Sequence, residues 1–479
     1  MNTKETWEAL KAETGDKTRV VAIGPAGEHV SLISCPINDG HRAPARGGIG
    51  AVMGSKKLKA IAVRGTGTIE VANPEKIVEI NKDIADKIKN EPVAQALSAY
   101  GTGVGTAGSL LSGDSPVKNW GGAGPYDYSE DDAQKVCSIA LDRYKTKKYN
   151  CSNCPLGCGA EYEVNDGRWP IGKTERPEYE TDSVFGSNLL NSESDVLLKC
   201  NEICNTYGLD TISAGNTIAW AMECYSEGVL SRDELDGIDL KWGNGEAIVA
   251  IMQKMADGEG CGKILANGSA FAAKHFGKGE EYLQIASGIE IAMHDPRKAP
   301  GMARIYKYDP TPGRHTKGGA GQLQMGGVGL DIYNYAAAAA LDVGVTCAME
   351  ITDMAGFCCI DGYLTPPSRH NEYIEAITGM KFNDEIAHIT GLRTLYMRYA
   401  FNLREGIRPS DMTLSQRLVG KPPLTSGPNA GVTVDIDLLG RNFFKAAGID
   451  FETGKPQLEM LQQVGHLEEV IKDLYGEGK

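Results

Sequence analysis

Cys151-Ser-Asn-Cys154-Pro-Leu-Gly-Cys158 places three thiols within eight residues, in the order C-x2-C-x3-C. Such spacing wraps the backbone around one ion or cluster, with amide N–H groups directed at the sulfurs. Pro155 and Gly157 suit a tight, non-helical wrap. Structural zinc usually draws on two C-x2-C pairs or on cysteine and histidine pairs, so the spacing favours an iron–sulfur cluster. The bland alternative is three unligated thiols in a loop. The motif is one ligand short, and the fourth has to come from a distance. Asp353-Met-Ala-Gly-Phe-Cys358-Cys359 offers two further thiols, either of which could bind on geometry alone.

That second segment echoes Asp210-Thr-Ile-Ser-Ala-Gly215. Each puts an aspartate where helix N-cap chemistry belongs, and a plain N-cap accounts for either one alone. The functional reading is a pair of ligand clamps. A pterin ring presents adjacent N–H donors, and a carboxylate can accept two of them. A third stretch, Arg46-Gly-Gly-Ile-Gly-Ala-Val-Met-Gly-Ser-Lys-Lys, is dense in glycine and basic residues. Missing Cβ atoms let backbone approach a phosphate or a metal centre, although the spacing is neither Walker A nor Rossmann. A flexible surface loop is the alternative.

The elements that must position these residues are only partly β. Arg19-Val-Val-Ala-Ile23, Val30-Ser-Leu-Ile-Ser-Cys35 and Ala60-Ile-Ala-Val63 read as strands. Pro74 starts a helix, and residues 101–124 form a glycine-rich loop. Val196, Leu197, Cys200, Ile203, Cys204 and Tyr207 share a helical face that Gly208 ends. Asp210 caps the next helix. Residues 336–340 and 386–403 are further helical stretches. With 479 residues the chain exceeds one domain, and its net charge of −14 argues against a nucleic-acid or anionic-membrane binder. Twelve cysteines are too few for a disulfide scaffold. The N-terminus lacks a secretory h-region. The alanine-rich run from Tyr335 to Leu341 is stopped by Asp342, so no membrane span and a cytoplasmic location are expected.

Taken together, these stretches resemble the tungsten-containing aldehyde ferredoxin oxidoreductases. The matching segments include Ile23-Gly-Pro-Ala-Gly-Glu28, the Arg46 loop, the cysteine triplet, Pro177-Glu-Tyr-Glu-Thr181, Gly208-Leu-Asp-Thr-Ile-Ser213, residues 353–358 and Phe401-Asn-Leu-Arg-Glu-Gly406. They run in the family's order over nearly the whole chain. The resemblance implies an α+β fold: an incomplete N-terminal β-domain (1–68) and two mainly α-helical domains (69–285 and 286–479). It implies a tungsten or molybdenum bis-pyranopterin, a [4Fe–4S] cluster on Cys151, Cys154, Cys158 and Cys358, and magnesium bridging the pterin phosphates. Asp210, Ser213, Asp353 and Phe357 match pterin-binding stretches, and Arg46 and Gly47 a pterin-side loop. The acid/base carboxylate falls on Glu178 or Glu180; a dry cavity would raise its pKa. His315 matches the histidine that polarises the substrate carbonyl, with His294 as alternate.

The implied reaction is oxidation of an aldehyde to a carboxylic acid, with electrons leaving through the cluster to a ferredoxin. Two alternatives stay open: a same-fold tungsten subunit reducing an aromatic acyl-CoA, and a non-catalytic iron–sulfur electron-transfer subunit. The family's first domain begins well upstream of the point matching Met1. A gene fragment or late start, a split protein with the missing half on another chain, and a divergent member all stay open. The expectation is an exposed apolar face on residues 1–65 and either poor stability alone or a partner chain completing the β-domain, with a homo-oligomer also expected. Glu385-Ile-Ala-His388 has the spacing of an interface metal site but not the family's position, and reads as a surface pair.

Overall fold

The computed structural model describes residues 1–169, 171–326, 331–360 and 365–476. The chain divides into two compact units. One comprises Met1–Gly67, Ala96–Met293 and Leu424–Gly431; the other comprises Thr68–Gln95, His294–Pro423 and Val432–Lys479.

In the first unit, Arg19–Ile23 is the central strand of a three-stranded antiparallel sheet, flanked by Pro36–Asn38 and Ala60–Val63. Val21 faces Asn38 on one side and Ile61 on the other. Two of the three expected strands are present. The third, residues 30–35, is not a strand. Val30 sits at φ 59° and starts a turn. The backbone of this stretch pairs with the loop before Asp210: Cys35 N donates to Gly208 O at 2.8 Å and Asp210 N to Ile33 O at 3.0 Å. Its alternating apolar pattern thus serves docking, and the β-structure moves on to residues 36–38. Ile61 and Val63 of the edge strand stay 49% and 60% exposed.

A second antiparallel sheet is a meander of Lys145–Tyr149, Gly159–Val164 and Gly172–Glu175. Below it lies a helical core. Ser194–Tyr207 ends at Gly208 in the left-handed region (φ 76°), the usual stop for a helix. Thr211–Ser226 is capped by Asp210, whose side chain accepts from Ile212 N, and it buries Ile212, Ile218, Trp220 and Met222. The short helix Tyr179–Phe185 packs on it at Gly215, where an added Cβ would lie 2.5 Å from Val184 Cγ2. Residues 101–124, expected as loop, contain the helix Thr106–Ser112 and short 3₁₀ turns.

The second unit is built on the packing partners Tyr335–Ala355 and Asp384–Arg404, with Ile436–Ala446 against the first and Pro300–Tyr308 against Ile436–Ala446. Pro74–Asn90 starts on an Asn73 cap with proline at its first position, as expected. It is clasped to Pro367–Thr378 by Lys76–Glu372 (3.2 Å) and Arg369–Asp83 (3.1 Å). Tyr335–Ala355 is the one helix among the described residues long and apolar enough to cross a membrane. Half of its apolar window is buried within the fold. Its buried carboxylates Asp342 and Glu350 pair with Arg304 and Arg398. A lone buried charge is costly and a paired one tolerable, so this is the construction of a core helix.

Candidate metal centre

The cysteine triplet occupies the hairpin loop between Lys145–Tyr149 and Gly159–Val164, closed by the pairing of Tyr149 with Gly159. An added Cβ at Gly159 would lie 2.5 Å from the Tyr149 ring, so only glycine closes this hairpin at that distance. The loop is non-helical, as expected. Asn153 and Gly157 both have positive φ, and Asn150 Nδ2 holds Cys154 O at 2.8 Å. Cys151 is exposed, Cys154 and Cys158 are half-buried, and none is in a disulfide. Three soft thiol donors on one rigid loop fit an iron–sulfur cluster.

Arg42 reaches this loop from the other sheet. It lies in a tight turn in which Asn38 and Arg42 exchange backbone hydrogen bonds across Asp39-Gly40. Its Nη2 donates to Cys158 Sγ at 3.8 Å. Its Nη1 donates to Glu178 Oε1, and its guanidinium lies over the Tyr149 ring at 5.6 Å. Burial works against the charge, yet Glu178, Tyr149 and the sulfurs of Cys158 and Cys151 outweigh it and hold the Arg42 pKa above its ordinary value.

Glu178 and Glu180 part company at a helix start. Glu178 is extended, in the N-cap position of Tyr179–Phe185, while Glu180 lies in the first turn. Glu178 divides its two oxygens between Arg42 and Thr102 Oγ1, the latter at 2.5 Å. Glu180 Oε2 accepts from Met293 N at 2.8 Å. Asp210 uses one oxygen for its cap (Ile212 N, 3.1 Å) and sets the other 3.3 Å from Arg46 Nε. Arg46 is buried and also donates to Glu290 O. Gly47 and Gly48 follow with φ 99° and 69°, and a Cβ at Gly48 would lie 2.8 Å from Leu32 O. Ser213 is buried one turn into the capped helix. A buried arginine–aspartate pair beside a glycine turn fits the edge of a hydrogen-bonding heterocycle.

In the second unit the rings of His294 and His315 lie 5.3 Å apart. Asp353 is not an N-cap. It falls in the last turn of Tyr335–Ala355, which Gly356 ends at φ 75°; the apolar periodicity of that helix simply carries past it. A carboxylate at the negative end of a helix needs a cation, and Lys317 Nζ provides it. Phe357 stacks on His370 at 4.4 Å. Cys358 is exposed; Cys359 is half-buried, and hydrogen bonding to Cys358 together with burial pushes its thiol up. Asp309 holds the start of the stretch that leads to His315: it accepts from Thr311 N and Oγ1 (2.9 and 2.8 Å) and pairs with Arg398, while His315 O accepts from Gln322 Nε2 at 3.2 Å. Sequence reasoning missed Arg42 and Lys317. Lys317 stands two residues after His315, the only local hint; nothing near Arg42 marked it.

Residues 79–465 match domains 2 and 3 of aldehyde ferredoxin oxidoreductase, and residues 1–65 match its N-terminal domain. The chain belongs to the aldehyde ferredoxin oxidoreductase family. It is similar to the tungsten-containing aldehyde ferredoxin oxidoreductase of Pyrococcus furiosus, 34% identical over 469 residues, which cover 96% of this chain and 76% of the relative. The Thermococcus kodakarensis enzyme of that name is 32% identical over 473 residues, 96% and 76% of the two chains. A WOR-like subunit of an aliphatic sulfonate oxidoreductase from Pyrococcus furiosus is 26% identical over 465 residues, 93% and 70% of the two chains. The active-site complex BamBC of benzoyl coenzyme A reductase shares the fold, with TM-score 0.78 at 22% identity, covering 98% of this chain and 76% of that one. Members of this oxidoreductase family carry a tungsten pterin centre and a [4Fe–4S] cluster, and the α+β architecture is the family's.

Proposed function

We propose that this chain oxidises an aldehyde to a carboxylic acid and hands the electrons to a ferredoxin. The observation that carries the reading is the hairpin of three cysteines braced by Arg42, in a chain matched along its length to tungsten-containing aldehyde ferredoxin oxidoreductases. Cys151, Cys154 and Cys158, with Cys358, are the cluster ligands. Arg46, Gly47, Asp210 and Ser213 hold one pterin; Asp353, Phe357 and Lys317 hold the other. Two aspartates each supplied with a cation favour a pterin-bearing enzyme over a pure electron-transfer subunit.

The balance is RCHO + H2O → RCOOH + 2 H⁺ + 2 e⁻. When bound, the tungsten pterin centre would supply a two-electron acceptor and the cluster a one-electron exit. The chain's own residues orient the aldehyde and manage protons. Glu180 is the acid/base: Glu178 has committed both oxygens to Arg42 and Thr102, whereas Glu180, in the first turn of Tyr179–Phe185, is oriented by the Met293 amide. His315 donates a ring N–H to the carbonyl oxygen, on a loop whose start is fixed by Asp309 and Arg398 and whose His315 carbonyl is held by Gln322.

In aldehyde-dependent dye reduction, Glu180→Gln should lower kcat by about 10²–10⁴, the range of a positioned acid/base, with tungsten and iron retained. Glu178→Gln should lower it far less. The reverse ranking would move the role to Glu178.

A further inference from the structure

We propose that Arg42 sets the reduction potential of the cluster on the 151–158 loop, and that Glu178 counterbalances it. The inference rests on the reading of Cys151, Cys154 and Cys158 as cluster ligands. Hydrogen bonds and charges at cluster sulfurs are among the levers by which a protein adjusts a cluster's potential. Arg42 brings both to one sulfur. Its Nη2–H donates to Cys158 Sγ at 3.8 Å, and its charge is permanent, since guanidinium does not lose its proton in proteins.

The guanidinium is held in place from several sides. Glu178 takes Nη1. Tyr149, the last residue of the strand leading into the cysteine loop, presents its ring 5.6 Å away. Tyr149 is itself stacked on His41 at 4.6 Å, and His41 Nδ1 is 2.6 Å from Glu175. Thr102 fixes the second oxygen of Glu178. The Asn38–Arg42 backbone pairing pins the base of the side chain. Such a planar cation, clamped by a carboxylate and an aromatic face, is one that lysine does not reproduce.

The charge argument fixes the signs. One-electron reduction makes the cluster more negative, so a cation at Cys158 favours the reduced state and raises the potential. Glu178 offsets part of that charge and lowers it. Removing the two partners should therefore shift the midpoint in opposite directions, which a general loosening of the loop would not do.

The test is an EPR-monitored redox titration of anaerobically purified holoenzyme, with iron measured per chain. It compares wild type, Arg42→Gln, Arg42→Lys and Glu178→Gln. The expected midpoints run Arg42→Gln below Arg42→Lys, both below wild type, and Glu178→Gln above it. Loaded clusters with an unmoved Arg42→Gln midpoint, or Glu178→Gln shifting the same way as Arg42→Gln, overturn the proposal. If Arg42→Gln fails to retain iron, the opposite shifts of Arg42→Lys and Glu178→Gln decide it. A Cys158→Ser protein with full iron and an unchanged signal overturns the cluster reading itself, and this inference with it.

Discussion

Glu178 and Glu180 are two positions apart and chemically alike, yet a helix start sends them to different partners: an arginine and a hydroxyl for one, a backbone amide for the other. Residue-level environment also sorts the cysteines. Burial pushes the thiols of Cys224, Cys261 and Cys347 up to about 12, while Cys151 is exposed. Brief alkylation of metal-stripped, folded protein near pH 8 should label Cys151 and leave those three unlabelled until unfolding, as read by peptide mass spectrometry. Asp182, fully buried on the Glu180 helix, shows the acid counterpart. Burial holds its carboxyl well above the ordinary range, eased by hydrogen bonding to Thr106. The native state then binds a proton that the unfolded chain releases above about pH 4, so stability is lost as pH rises from there toward the folded pKa. Asp182→Asn should remove that slope. It should melt higher than wild type at neutral pH, with little difference at pH 4; a wild-type advantage growing with pH would contradict this.

At the scale of elements, the site depends on how closely two helices approach. Gly215 lets Thr211–Ser226 touch Val184 of Tyr179–Phe185. Gly215→Ala should cost about 1–3 kcal/mol, the usual range for overpacking, and reduce turnover by displacing Glu180. Val184→Ala should restore much of both in the double variant, as measured by denaturant unfolding and kcat. The loop carrying His315 has a different brace. Arg398, part-buried, serves the buried Asp309 and Glu350 together. Arg398→Ala leaves two buried carboxylates without their cation and should cost about 3–5 kcal/mol; an effect below about 1 kcal/mol would show that the network is not needed.

Across the whole molecule, legibility followed sequence distance. The cysteine loop, the Asp210 cap and the Gly208 helix stop were readable because each is a local pattern whose partners lie within a few residues. Residues 30–35 have the alternation of a strand, but alternation does not reveal that their backbone pairs with the Asp210 loop. Lys317 and Asp353 are 36 residues apart, and Arg42 and Cys158 are 116 apart; no periodicity announces such pairs. The family resemblance supplied the roles, but not the cations that hold Glu178 and Asp353.

The claim on which the rest depends is that four cysteines of this chain hold one [4Fe–4S] cluster beside a tungsten pterin centre. Its most direct test is metal analysis with EPR on anaerobically purified wild type, Cys358→Ser and Cys359→Ser. Wild type should contain iron and tungsten with a [4Fe–4S] signal. Cys358→Ser should lose that signal, and Cys359→Ser should keep it. Zinc in place of iron, or an intact cluster signal in Cys358→Ser, would contradict the account.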